Sequence, residues 1–158
     1  MKIFIASDHA GYEMKKVLTQ KLEEDGYDIE DLGPYQYDES DDYPSLIRPL
    51  AERVAQEIDT LGIILGGSGQ GEAMVANKVR GIRAGVFYGT RTEGAPPEVS
   101  SESYDIVRLL RTHNNANVLS LGARFLTLEE AYRAVTIFIT TPFGEEERHT
   151  RRIRMIDI

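Results

Sequence analysis

Leu61-Gly-Ile-Ile-Leu-Gly-Gly-Ser-Gly-Gln-Gly-Glu72 is the stretch that decides the fold of this 158-residue chain. LGIIL is its most apolar short run, and it opens directly into a glycine-rich turn and a short helical pattern at about residues 71–78. An uninterrupted apolar run of strand length that feeds a helix predicts a strand buried on both faces of a parallel sheet. Working outward, Lys2–Ser7 (KIFIAS) predicts a first strand, followed by a helix from about Tyr12 with Met14, Val17, Leu18 and Leu22 at helical spacing. Gly26 closes that helix, and Asp28–Leu32 predicts a second strand. Leu46, Ile47, Leu50, Ala51, Val54, Ala55 and Ile58 form a broad helical stripe that Pro49 is expected to kink or to start. Ala84–Tyr88 and Val118–Leu121 supply a fourth and a fifth strand. Thr127-Leu-Glu-Glu130 is a capping box, and the helix it starts turns Ala131, Ala134, Val135 and Phe138 to the core. Past Pro142 and Gly144 a last helix carries Arg148, His149, Arg151, Arg152 and Arg154. This alternation predicts an α/β protein, one Rossmann-like doubly wound domain over residues 1–158 with five parallel strands and a C-terminal helix.

Composition narrows the function. A formal charge of −8 argues against nucleic acid or an anionic membrane as partner. With no cysteine, disulfides, thiolate metal sites and a cysteine nucleophile are excluded together. No apolar stretch approaches the roughly 20 residues of a membrane helix, so a cytoplasmic location is expected. Residues 33–42 (GPYQYDESDD) predict a polar loop, with Asp38–Asp42 solvated rather than a calcium site. Residues 89–103 (GTRTEGAPPEVSSES) predict a mobile surface loop.

Ligands of open parallel sheets bind at the carboxyl ends of the strands. Three segments are expected to converge there: Ser7-Asp8-His9-Ala10-Gly11, Gly66–Glu72, and Thr112–Asn115 ahead of the fifth strand. The loop Gly66-Gly-Ser-Gly-Gln-Gly71 can turn successive N–H groups inward, and the following helix adds its positive end. It is not a P-loop, because Glu72-Ala73 stands where Lys and Ser or Thr belong. Gly67, Gly69 and Gly71 miss the dinucleotide spacing, and Gln70 breaks the nucleophile-elbow pattern. Glu72, in the first turn of a helix, fits two roles. It is a cap favoured by the macrodipole, or a base beside donors that hold an oxyanion, supplied by Ser68 and the amides of Gly69, Gln70 and Gly71. Asp8-His9 and His113-Asn114 hold two of the three histidines. A metal site from His9, His113, Asp8 and Glu72 has no supporting spacing, and no metal or other cofactor is expected. Arg148 and Arg152 lie four apart on one helical face, suited to phosphate or simply to solvent.

Together ASDHAGYEMK, DDYP, GIILGGSGQGEAMVANKVRGIRA, HNNANVLSLGAR and TTPFGEEERHTRRI resemble the type B ribose-5-phosphate isomerases and the related galactose- and allose-phosphate isomerases, in the same order along the chain. The resemblance implies an aldose–ketose isomerase of phosphorylated sugars, assembled as a homodimer or tetramer with active sites at the subunit interface. It implies Glu72 as the base that moves a proton between C1 and C2, and Ser68 with Gly67, Gly69, Gln70 and Gly71 as the enediolate cradle. It further implies His113, helped by Asp8, as the group that opens the furanose, and Asn114 and Tyr43 as hydroxyl contacts. His9, Arg124, Arg148 and Arg152 resemble the phosphate-binding set. One branch of the family carries a cysteine where Gly66 stands here; this chain matches the branch with the base at Glu72. The long 89–103 segment leaves the preferred sugar open between ribose 5-phosphate and a six-carbon sugar phosphate. A phosphosugar-binding protein without catalysis and a nucleotide-binding module are the readings from other classes.

Overall fold

The computed structural model describes residues 1–89 and 106–156. The loop expected over 89–103 lies, beyond Gly89, outside the described residues. Five strands form one parallel sheet: β1 (Lys2–Ser7), β2 (Asp28–Asp31), β3 (Thr60–Gly66), β4 (Ala84–Phe87) and β5 (Val118–Gly122), in the order β2-β1-β3-β5-β4. Six helices accompany them: α1 (Tyr12–Glu24), α2 (Tyr43–Gln56), α3 (Gln70–Ala76), α4 (Ile106–Asn114), α5 (Leu128–Thr140) and α6 (Glu147–Ile153). The doubly wound α/β reading therefore holds. No helix among the described residues is long and apolar enough to cross a membrane.

Strand alternation explains the two layers. Ile3, Ile5, Leu61, Ile63, Leu65, Leu119 and Leu121 face α1, α4 and α5, whose Leu18, Leu22, Val107, Ala131, Val135 and Phe138 complete one core. Phe4, Ala6, Ile64 and Val118 point the other way, onto Ile47, Leu50, Ala51 and Val54 of α2 and Ala76 of α3. With both faces covered, the central strands have no polar side to show, and their sequences read as runs of Ile and Leu.

Two local readings need correction, and one helix was not predicted. The stripe ending at Ile58 starts earlier than Pro49: α2 begins at Tyr43 with Pro44 in its first turn, and Pro49 lies inside the helix on its exposed side. Pro44 needs no N–H there, which is why the true start is upstream. Ile58 falls beyond the helix end and is exposed. The segment before the fifth strand is a helix of its own, α4, whose Val107 is buried and whose Leu110 packs against the core. The capping box is present as expected, with Thr127 and Glu130 bonded reciprocally.

One buried ion pair stitches α1 to the edge of the sheet. Lys15, with 1% of its side chain exposed, donates to both carboxylate oxygens of Asp31 (2.6 and 2.5 Å) and to the Pro34 carbonyl (3.0 Å). Asp31 keeps 27% of its side chain exposed, so the two partners are unequal. Asp31→Ala leaves an unpaired ammonium in the interior and should cost about 3–5 kcal/mol, whereas Lys15→Met leaves a carboxylate that water can reach and should cost less. Urea unfolding midpoints of the two variants check the order; equal losses would contradict it.

Candidate active site

The direction of winding reverses between β1 and β3, which are neighbours in the sheet, and their carboxyl ends carry the first two predicted segments. The Asp8 amide donates to the Leu65 carbonyl (3.0 Å), and a side chain on Gly11 would collide with the Leu65 backbone. The turn after β1 and the loop after β3 are thus pressed together. Asp8 is buried, and its carboxylate accepts from the Gly11 amide (3.0 Å) as the cap of the 3-10 turn His9–Gly11.

The glycine loop is held open by one left-handed residue and one side chain. Gly69 has φ +75°, a conformation that a Cβ would strain, and Ser120 of β5 donates its hydroxyl to the Gly69 carbonyl (2.6 Å). Ala123 and Arg124 donate their amides to the Gly66 and Gly67 carbonyls (2.8 and 3.1 Å), tying the loop to the end of β5. The Gln70 amide is already bonded to Ser68 Oγ (3.3 Å), which removes it from the set of amides expected to face an oxyanion.

Glu72 lies in the first turn of α3 and is only 4% exposed. A Cβ built on Gly66 would land inside its carboxyl group, so the carboxyl rests directly on the Gly66 backbone. Burial pushes the Glu72 carboxyl above the ordinary range. The Asp8 carboxyl within bonding reach and the charge of Asp41 push the same way, and Glu72's own amide opposes them. A simple capping glutamate is drawn toward ionisation by the helix dipole; this one is arranged to hold a proton more readily than usual. Tyr43 closes one wall, its ring about 3 Å from where a Gly71 Cβ would be.

A cationic pole lies beside this acid cluster. The Arg124 guanidinium packs on Gly67, 3.4 Å from the position of a Cβ there, and its charge is felt at His9. His9 donates through Nδ1 to Asp41 Oδ1 (2.7 Å), and this bond, reinforced by Asp8, raises its affinity for a proton. Asp8, His9 and Asp41 bring a carboxylate oxygen or ring nitrogen each within 4.8 Å of one another. With the His9 ring protonated, His9 and Asp41 form an ion pair.

The third predicted segment is elsewhere. β5 runs parallel to β3, so the chain ahead of Val118 lies at the amino edge of the sheet, and there α4 delivers His113 and Asn114. Val118 to Gly122 spans about 13 Å at strand rise. His113 and Asp8 therefore sit at opposite edges of one chain, and the four-residue metal set weighed from sequence does not assemble. At the amino edge His113 stacks on His149 of α6, ring centroids 4.2 Å apart and 13° from parallel. Arg148 (2.9 Å to Glu146) and Arg152 are exposed on the same helix. The structure brings together Asp8, His9, Tyr43, the 66–71 loop, Glu72 and Arg124; it groups His113, Asn114, Arg148 and Arg152 apart from them.

Sequence reasoning overlooked two buried participants. Asp41 was expected in solvent with its acidic neighbours but has only 9% of its side chain exposed. His149 is 5% exposed, and burial, then the neighbouring His113, lowers its proton affinity. Only packing separates His149 from the exposed Arg148, Arg151 and Arg152 beside it.

Comparison with known proteins relates the whole chain to one family. A family model described as ribose/galactose isomerase matches residues 3–95 and 98–156. The ribose-5-phosphate isomerase B of Mycolicibacterium paratuberculosis is 38% identical over 156 residues, covering 99% of this chain and 89% of that protein. A crystal structure of ribose-5-phosphate isomerase B from Mycoplasma genitalium with bound ribulose 5-phosphate matches with a TM-score of 0.83 at 38% identity, covering 98% of this chain and 93% of that one. The Thermotoga maritima ribose 5-phosphate isomerase structure gives 0.85 at 39% identity, covering 99% and 97%.

Gly66→Ala tests the seat of Glu72. The new methyl displaces the carboxyl, the far end of a flexible side chain, so the protein should fold with little loss of stability. The proton affinity of Glu72, followed by carboxyl-carbon NMR, should fall toward the ordinary value as the group swings to solvent. An unchanged titration would show that the carboxyl does not rest on Gly66.

Proposed function

The chain belongs to the ribose/galactose isomerase family, and from that premise we propose that it interconverts ribose 5-phosphate and ribulose 5-phosphate through an enediolate, with Glu72 as the base. The observation that carries the reading is the buried Glu72 carboxyl with its raised proton affinity, set against a glycine loop at a topological switch point. A base that removes a proton beside a carbonyl and returns it one carbon away must take and release it near neutral pH. A carboxylate moved upward by burial meets that need better than an ordinary one. The C2 proton of the aldose passes to Glu72, the carbonyl oxygen at C1 gains negative charge, and Ser68 and the remaining loop amides are its donors. With the O2 hydroxyl proton passed to O1 within the enediolate, the same carboxyl delivers its proton to C1 and the carbonyl forms at C2. His9 and Arg124 form the phosphate pole at this edge. No step requires a metal or a nucleotide, so full activity should survive exhaustive chelation.

Glu72→Gln should lower kcat by at least about 10²–10⁴-fold while KM stays near the parent value. In the parent, kcat/KM should rise with pH through the raised Glu72 value, since the ionised form is the base, and Asp8→Asn should move that limb to lower pH. An isomerase assay on ribose, allose and galactose phosphates from pH 4 to 9 reads all of this. Binding without turnover of any of them would favour a non-catalytic phosphosugar-binding protein.

The remaining expected residues fit a site completed by a second copy. His113, Asn114, Arg148 and Arg152 form a basic group with no base of its own, and the Glu72 edge is an acidic group with exposed Tyr43, Met74, Tyr88 and Phe125 around it. Apolar residues exposed beside an incomplete site suit a self-complementary contact. Glu72→Gln and His113→Ala should each be inactive alone. Mixed in equal amounts and allowed to exchange subunits, they should regain roughly a quarter of parental activity, because half the dimers carry one intact site. No recovery despite proven exchange would place the whole site within one chain.

A further inference from the structure

The segment before α2 presents a row of acids, but they do not share one environment. Asp38 is exposed and engaged with Ser40, through the Ser40 amide (2.9 Å) and hydroxyl (2.6 Å). Its carbonyl accepts the Asp41 amide (3.2 Å), closing a turn that swings the Asp41 side chain inward. Once there, Asp41 gives one oxygen to His9 Nδ1 at 2.7 Å, while Oδ2 is buried and bonded to nothing among the described residues. A carboxylate removed from water in this way persists only where a cation compensates it, and the bonded imidazole is that cation.

We propose that Asp41 is a positioning residue for the phosphate-binding end of the site: it grips the His9 ring through Nδ1, fixes its orientation, and keeps a proton on Nε2 for a substrate phosphate. The proposal rests on the reading of His9 as a phosphate contact. An imidazole that donates from Nδ1 to a carboxylate and from Nε2 to a phosphate must carry both protons, and a neutral ring offers only one of the two bonds. Asp41 therefore decides whether His9 reaches the phosphate as a cation or as a neutral ring. The charged groups around His9 are Asp8 beside it in sequence, Asp41, Arg124 across the loop, and Asp38, whose carboxyl is itself favoured by the His9 charge. The Tyr37 ring meets its edge at 6.5 Å between centroids. Of these, the bond to Asp41 acts most strongly to hold the proton, and Arg124 opposes it. Asp41 acts at the other end of the site as well, because its charge also makes Glu72 keep its proton more readily. One side chain thus biases both the phosphate pole and the base.

The sign of the pH effect follows. Because Asp41 raises the proton affinity of His9, phosphate binding through His9 is fully present at low pH and is lost as pH rises through that raised value. Asp41→Asn keeps the shape and removes the charge, so the loss should set in at lower pH.

The chain has three histidines, so their ring Cε1–H signals can be followed individually by NMR in the intact, ligand-free protein. In Asp41→Asn the His9 midpoint should fall while those of His113 and His149 stay in place, which also reports that the variant is folded. KM for ribose 5-phosphate should rise on the order of tenfold, a larger change than that in kcat, as expected when a charge-assisted bond is weakened. Asp41→Glu should restore part of the His9 midpoint. A His9 midpoint equal to the parent's in Asp41→Asn overturns the proposal. Inorganic phosphate separates this from the underlying reading: it should raise the His9 midpoint in the parent, and a signal indifferent to phosphate overturns the role of His9, whatever Asp41 does to it.

Discussion

Two carboxyl groups, Glu72 and Asp8, meet at the point where the chain reverses its winding across the sheet, and most of the local structure exists to keep them there. A buried pair of acids repels itself and resists leaving water, so it lasts only where the surrounding fold is rigid. The rigidity comes from both sides. Beneath lie β1 and β3, with Ile3, Ile5, Ile63, Ile64 and Leu65 free of solvent. Around the pair, Gly11 lets the first turn close on Leu65, Gly69 turns the loop over, and Ser120 anchors it from the next strand. Each of these contacts is backbone-close, and together they shape the place that the Glu72 carboxyl fills.

The polarity of the strands then divides the chemistry. In a parallel sheet the loops that follow strands gather at one edge and the loops that precede them at the other, so residues near Asp8 and residues near His113 cannot meet within one chain. The amino-edge group is no less constructed than the carboxyl-edge group. Arg111 donates to the carbonyls of Thr141 (3.1 Å) and Ala116 (2.5 Å), packs over Phe138, and so pins the end of α4 from which His113 projects. His149 supplies a flat, buried surface for the His113 ring. A net charge of −8 hides this partition, because a sum over 26 acids and 18 bases says nothing of where on the fold they lie. Opposite character on two surfaces of one molecule favours contact between copies and gives that contact a direction.

Strand content and core were readable because β1, β3 and β5 are buried on both faces and their composition has no other explanation. The glycine loop and Glu72 were readable because a strand-to-helix turn of this composition has few uses. What escaped the sequence was direction and depth. His113-Asn114 stands next to a strand, but which edge it occupies depends on whether it precedes or follows that strand, and the helix before it was masked by a polar stretch without a strong start signal. Asp41 looked like one more solvated acid, since the turn that separates it from Asp38 is a backbone event. His149 was lost among arginines for the same reason: composition marks the cluster as cationic, and only packing shows that one member faces inward.

The absence of cysteine acquires a physical meaning in this setting. The resemblance implies another branch of the family with a cysteine at the position of Gly66, which lies here at the end of β3. Its Cβ would fall inside the volume that the Glu72 carboxyl fills here, so a base delivered from the strand end and a base delivered from the helix compete for one space. A glycine at position 66 is thus the condition for the Glu72 carboxyl to occupy this place. The carboxylate solution needs burial to lift its proton affinity toward the working range, whereas a thiol begins above it and must be brought down. Packed against Asp8 and sheltered from solvent, the Glu72 carboxyl is moved upward.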